Sequence, residues 1–146
     1  MRFLVGILVV VVTLYAGMGS AFAYRIVTKD ESAFAFKGGN IEAESHRYQV
    51  TYEVDELSKT ITALEEKDMR TGEIFPSGSV YQIVDQPTIE LPGRPTAIRA
   101  YRINPRRGNI ETISLCNGRY HYSKTTEDYI NLFYGKYRTL KESNSE

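Results

Sequence analysis

One cysteine, no tryptophan and no Asn-x-Ser/Thr triplet occur in the 146 residues. A lone thiol, Cys116, makes no internal disulfide, so the folded state rests on packing rather than on covalent staples. The missing triplet leaves no site for N-glycosylation. Net charge is lacking too: 18 basic residues balance 18 acidic ones, which removes the electrostatic basis for binding nucleic acid or an anionic membrane surface. The two histidines, His46 and His121, stand in no metal-ligand spacing with Cys, Asp or Glu, and neither GxGxxG nor GxSxG is present. The sequence therefore calls for no metal and no cofactor.

Long apolar runs are confined to the start. Met1-Arg2 is a short positive lead, Phe3 to Tyr15 (FLVGILVVVVTLY) is uncharged, and Ala21-Phe22-Ala23 places small residues where a signal peptidase reads them. This layout predicts a signal peptide over residues 1–23, cleaved between Ala23 and Tyr24, and a secreted or periplasmic protein. The alternative is an uncleaved membrane anchor, since the uncharged stretch from Gly6 to Tyr24 is just long enough to span a bilayer. After cleavage no span remains. Residues 24–146 suffice for a single β domain with its own core, ending in a polar tail over 140–146 that is expected to fray.

Alternation dominates the rest of the chain. In HRYQVTYEVD, His46, Tyr48, Val50, Tyr52 and Val54 share one face and the intervening residues are polar, the mark of a half-buried strand that His46 begins. ELSK is a turn. TITALEEKDMR continues as a strand with a bulge near Leu64, its EEKD run (Glu65–Asp68) reading as a solvated face. Further strands are expected in Val80–Leu91, Thr96–Ile103, Ile110–Cys116, Arg119–Thr125 and Tyr129–Arg138, with PGRP and NPRRGN as breaks. Near the start, Arg25–Lys29 and Ala33–Lys37 each suit a strand able to close the sheet against the last one. The fold class is all-β: about seven or eight antiparallel strands in a meander, a barrel or a sandwich. The layout resembles small exported β-barrels such as lipocalin-like domains in architecture, a likeness that says little about function.

The segment LCNGRYHYSK holds the only thiol and one histidine around Asn117-Gly118. Asn-Gly is the strongest signal for a two-residue type I′ hairpin, and it sets Cys116 opposite Arg119, Leu115 opposite Tyr120, Ser114 opposite His121 and Ile113 opposite Tyr122. Cys116 and His121 then share the polar face as diagonal neighbours, about 7–8 Å apart at the backbone. A thiol nucleophile with a histidine base is geometrically allowed, and Arg119 would favour the thiolate. The sequence offers no base-orienting group or oxyanion site beside them. The plainer readings are a small residue near a turn beside an ordinary strand histidine, or an intermolecular disulfide. For the next hairpin, a three-residue loop at Thr126–Asp128 sets Tyr122 opposite Leu132 and Tyr120 opposite Tyr134, putting Ile130, Leu132 and Tyr134 in the core and Phe133 beside His121. Gly135 marks a bend.

The most basic stretch is GRPTAIRAYRINPRRG. Arg99 points opposite to Arg102, so its arginines form no single patch. Arg106 and Arg107, at a loop tip, suit an anionic partner, or else serve solubility and edge protection. Three functions fit. The first is a non-enzymatic exported module binding a small molecule or a protein partner, with Arg106, Arg107 and Arg119 as candidate contacts. The second is a thiol-dependent enzyme using Cys116, His121 and Ser114. The third is an envelope structural protein that assembles through edge strands. Cys116→Ser separates the first two, and the oligomeric state in solution reports on the third.

Overall fold

The computed structural model describes residues 23–84 and 97–140. Three sequence readings lie outside them: the leader up to residue 22, the stretch from residue 85 that includes the PGRP break, and the tail from residue 141. The described residues form ten strands and no helix: β1 (Ala23–Lys37), β2 (Asn40–Ala43), β3 (Tyr48–Asp55), β4 (Thr60–Asp68), β5 (Ile74–Pro76), β6 (Val80–Ile83), β7 (Ile98–Asn104), β8 (Asn109–Cys116), β9 (Arg119–Thr125) and β10 (Tyr129–Thr139). Every pairing is antiparallel, in the order β10-β9-β8-β7-β6-β4-β3-β1, and β1 returns to β10. Eight strands thus close a barrel, while β2 and β5 are extra strands on β1 and β4.

The two N-terminal strand candidates are one continuous strand. Val27 pairs with Arg138 and Phe34 with Leu132, so β1 closes the barrel along its whole length, with Glu31 as an extra residue between Asp30 and Ser32. β3 covers the first half of β1 on its other side, and β2 covers the second half. Gly135 sits opposite Asp30 at this bulge. A Cβ there would lie 1.9 Å from the Lys29 carbonyl oxygen and 2.7 Å from the Tyr120 ring. The seam is that tight because the Tyr120 ring covers the gap a side chain would fill.

The predicted bulge in β4 is present. Thr51 pairs with Glu65 but Tyr52 with Ala63, leaving Leu64 unmatched. One extra residue reverses the in-out parity of the strand beyond it. Ile61 and Ala63 point inward before the bulge, and Glu66 and Asp68 after it. The solvated face read for Glu65–Asp68 is therefore corrected at two of its four positions.

The Asn117-Gly118 turn has positive φ at both residues, 49° and 73°, and the register of β8 on β9 is the one Asn-Gly dictates. The register of β9 on β10 differs by one residue from the expectation. Tyr122 faces Phe133, and Tyr120 faces Gly135. The cause lies in the loop. The Thr126 hydroxyl accepts from the amides of Asp128 (3.3 Å) and Tyr129 (3.2 Å), and Thr126 N–H donates to the Tyr129 carbonyl at 2.9 Å. Residues 126 and 129 thus close the loop on each other, which makes its count even. Phe133 is the core residue, 8% exposed, packed on Tyr122 and Tyr48. Tyr134 lies on the outer face against His121, ring centroids 4.7 Å apart.

The interior is graded along the barrel axis. At the end that holds the Asn117-Gly118 turn, Ile26, Val54, Ile61, Ile113 and Leu115 are fully buried and pack together. Midway stand Tyr52, Tyr81 and Tyr122. Towards the far end the inward positions become polar: Asp30 on β1, Glu66 on β4, Arg102 on β7, Glu111 on β8 and Lys124 on β9. In an eight-stranded barrel, side chains either fill the interior or leave room for one small ligand.

Candidate functional site

The polar end is not filled. Above the apolar plug lies a cavity of about 230 Å³, walled by Val50, Tyr52, Tyr81, Tyr120, Tyr122 and Phe133. Beside it, under the β7–β8 loop, lies an outer chamber of about 510 Å³. Glu66, Tyr81, Tyr122 and Lys124 border both spaces, which therefore adjoin as an inner and an outer zone. The outer zone follows from the strand pattern. β6 pairs with β7 only at Tyr101 and Ala100, so among the described residues the mouth-side half of β7 has no ladder partner on that side. The Arg102 guanidinium bridges the opening by donating to the Ser79 hydroxyl.

Glu111 organises the wall. It is 6% exposed, lies directly across the β7–β8 pair from Arg102, and has the guanidinium 3.6 Å away. The Tyr81 hydroxyl donates to it at 2.9 Å. Burial, and then the Glu111 charge, hold the Tyr81 phenol well above its ordinary range. Burial does the same for Tyr122, reinforced by Tyr81 and Glu111. A buried carboxylate must be paired and hydrogen-bonded to be tolerated, and Arg102 with the phenols meets that need. They also fix the tyrosine layer that floors the outer zone.

Two more carboxyls face the cavity, and each has a protein donor. Asp30 accepts the Tyr48 amide at 2.7 Å. Burial pushes its pKa up to about 6, against the lowering effects of that amide and of Arg47. Glu66 accepts from the Ser77 hydroxyl at 2.9 Å. The cations are placed differently. Arg106 and Arg107, at the tip of the β7–β8 loop, and Lys124 line the outer zone, and no ion pair from any of their side chains to a described residue is present.

The other sequence candidates lie elsewhere. Cys116, Ser114 and His121 share the outer face as the hairpin register requires, with Ser114 opposite His121. Cys116 is a half-buried free thiol, and the contact found for the His121 ring is Tyr134. Arg119 does not serve the thiol: its guanidinium is 2.7 Å from Glu31, which also holds Lys136 at 2.9 Å across the closing seam. His46 precedes β3 rather than beginning it, with Nδ1 2.9 Å from the Glu44 carboxylate. Among the described residues no cluster of His, Cys, Asp and Glu is arranged to hold a metal ion.

Sequence reasoning named Arg106 and Arg107 but missed Lys124, Glu111, Glu66 and Asp30. For Glu111 and Lys124 the signal was present. The Asn-Gly register puts both on the same face as Ile113, Leu115, Tyr120 and Tyr122, where a charge has no ordinary place in a core. No protein-family model, curated protein or solved structure matches the chain.

Proposed function

We propose that this protein is an exported, non-enzymatic barrel that binds a small molecule in its interior. The observation that carries the reading is the unfilled cavity between the tyrosine layer and the barrel mouth, in a barrel size able to hold one small ligand. The two zones together fall within the range of small-molecule pockets, and the mixed lining is of the usual kind: aromatic walls with a few placed polar groups. Export rests on the apolar leader. The outer face favours a water-bathed barrel over one embedded in lipid, since Arg25, Lys29, Glu53 and Arg119 point outward and a charge facing lipid is costly.

The test is native mass spectrometry of the processed chain, with a cavity-filling variant as control. The purified protein is expected to carry one small-molecule adduct per chain. Val50→Phe, which adds bulk at the cavity wall, is expected to lose the adduct while keeping its strand-type circular dichroism, and Cys116→Ser is expected to retain it. An adduct that survives Val50→Phe, or turnover that disappears with Cys116, would remove this reading.

A further inference from the structure

We infer that the ligand is an aryl anion: an aromatic ring seated in the inner zone, carrying a carboxylate or phosphate held at the mouth by Lys124, Arg106 and Arg107. The inference rests on the small-ligand reading and goes further by naming the chemistry. It comes from asking which polar groups around the cavity are already engaged.

The anions are engaged. Glu111 has Tyr81 and Arg102, Asp30 has the Tyr48 amide, and Glu66 has the Ser77 hydroxyl. Among the cations only Arg102 is committed, to Glu111 and Ser79. Lys124, Arg106 and Arg107 face the outer zone with no carboxylate at ion-pair distance among the described residues. Around that zone Arg102, Arg106, Arg107 and Lys124 outnumber Glu66 and Glu111 by four to two. An excess of positive charge around a concave site attracts anions. Guanidinium and ammonium groups are the usual partners of carboxylate and phosphate.

The inner zone sets the rest of the molecule. At about 230 Å³ it exceeds the roughly 150 Å³ that accepts benzene in an engineered apolar cavity. It therefore takes one ring with a short substituent. Its walls carry aromatic rings, Tyr52 and Tyr81 edge-to-face at 6.4 Å and Phe133 tilted on Tyr122 at 5.8 Å, alongside Asp30, Glu66 and Asn131. Such walls hold a further ring in offset or edge-on contact. Tyr122 and Lys124 are two apart on β9 and both line the inner zone. A ring against Tyr122 thus lies on the same wall as the Lys124 side chain.

The test is calorimetric titration of the processed chain with phenylacetate, phenyl phosphate, benzyl alcohol, benzylamine and inorganic phosphate. Both aryl anions are expected to bind about tenfold or more tightly than benzyl alcohol, as one charge-assisted hydrogen bond supplies, and to weaken as salt is raised. The better of the two identifies the anionic group. Benzylamine and inorganic phosphate alone are expected to bind more weakly than either. Lys124→Met and the double variant Arg106→Gln/Arg107→Gln are expected to erase the gap between aryl anion and benzyl alcohol. Strand-type circular dichroism and an unchanged urea midpoint show that the variants are folded. Equal affinity for charged and neutral ligands, a preference for benzylamine, or variants that weaken all ligands alike would overturn the inference. If none of the series binds while the Val50-sensitive adduct persists, the aryl anion is wrong and the small-ligand reading stands. If the adduct survives Val50→Phe, the reading beneath it falls as well.

Discussion

Asp30 is the clearest case of a residue whose position in the cavity costs stability. The residue is 8% exposed and its pKa is raised to about 6, chiefly by burial, whereas an unfolded aspartate titrates near 3.9. Between those values the folded chain keeps a proton that the unfolded chain has released. The stabilisation by this group is complete below about pH 4 and is lost as pH rises through 6. Asp30→Asn retains an oxygen to accept the Tyr48 amide and removes the titration. It is expected to be more stable than the parent by about 2–3 kcal/mol at pH 7.5, with the difference vanishing by pH 4, measured by urea unfolding across that range. Glu31, Glu44, Asp55 and Asp68 have lowered pKa values and act in the opposite sense. They are common to both proteins and cancel in the comparison. Gly135 provides a second test at this scale. Gly135→Ala would drive a methyl group into the Lys29 carbonyl and the Tyr120 ring, and a loss of about 3 kcal/mol in the same assay is expected from such overpacking.

At the level of strands, legibility depended on whether the chain marks its own turns. Asn117-Gly118 did so, because two consecutive positive φ angles suit few other residue pairs, and the register of β8 on β9 came with it. Gly118→Val puts a β-branched residue in the left-handed region with only the Tyr137 carbonyl 3.8 Å away. Its cost is therefore conformational, about 1–2 kcal/mol, and a matching drop in the urea midpoint is expected. The loop at Thr126 carries no comparable signal. Its closure depends on a threonine hydroxyl turning back to two amides, and many sequences make that bond in some loops and not in others. A one-residue error there exchanged Phe133 for Leu132 and Tyr134 in the core. The bulge at Leu64 was legible, but its parity change was not carried through to Glu66 and Asp68. Asp30 and Glu66 were hidden for that reason, since their inward direction is determined only once register and bulges are fixed together, whereas the Asn-Gly register alone already set Glu111 and Lys124 on the core face.

Across the whole molecule the buried phenols tie the barrel to alkaline pH. Tyr52 and Tyr81 are each 4% exposed, and burial raises both well above the usual range. Tyr122, half-buried at the cavity wall, is raised by burial as well, and Tyr24 is pushed up to about 12 by burial and Glu56. Above pH 10 an unfolded chain releases these protons and the folded chain keeps them. Each such group therefore lowers stability by about 1.4 kcal/mol per pH unit as pH rises further. Tyr52 and Tyr81 together are enough to exhaust the margin of a typical domain within a few units. Because the tyrosine layer joins both ends of the barrel, the phenols cannot ionise one at a time with the wall intact. Phenolate absorbance and far-ultraviolet circular dichroism, tracked together from pH 9 to 12.5, are expected to show a cooperative step in which the phenolate of the buried tyrosines appears as strand signal is lost. An aryl anion bound in the cavity is expected to move that step to higher pH, since it binds the folded chain alone. Smooth ionisation of all the tyrosines near pH 10, with the strand signal unchanged, would mean that water already reaches the tyrosine layer, which would then not be the packed floor the ligand reading needs.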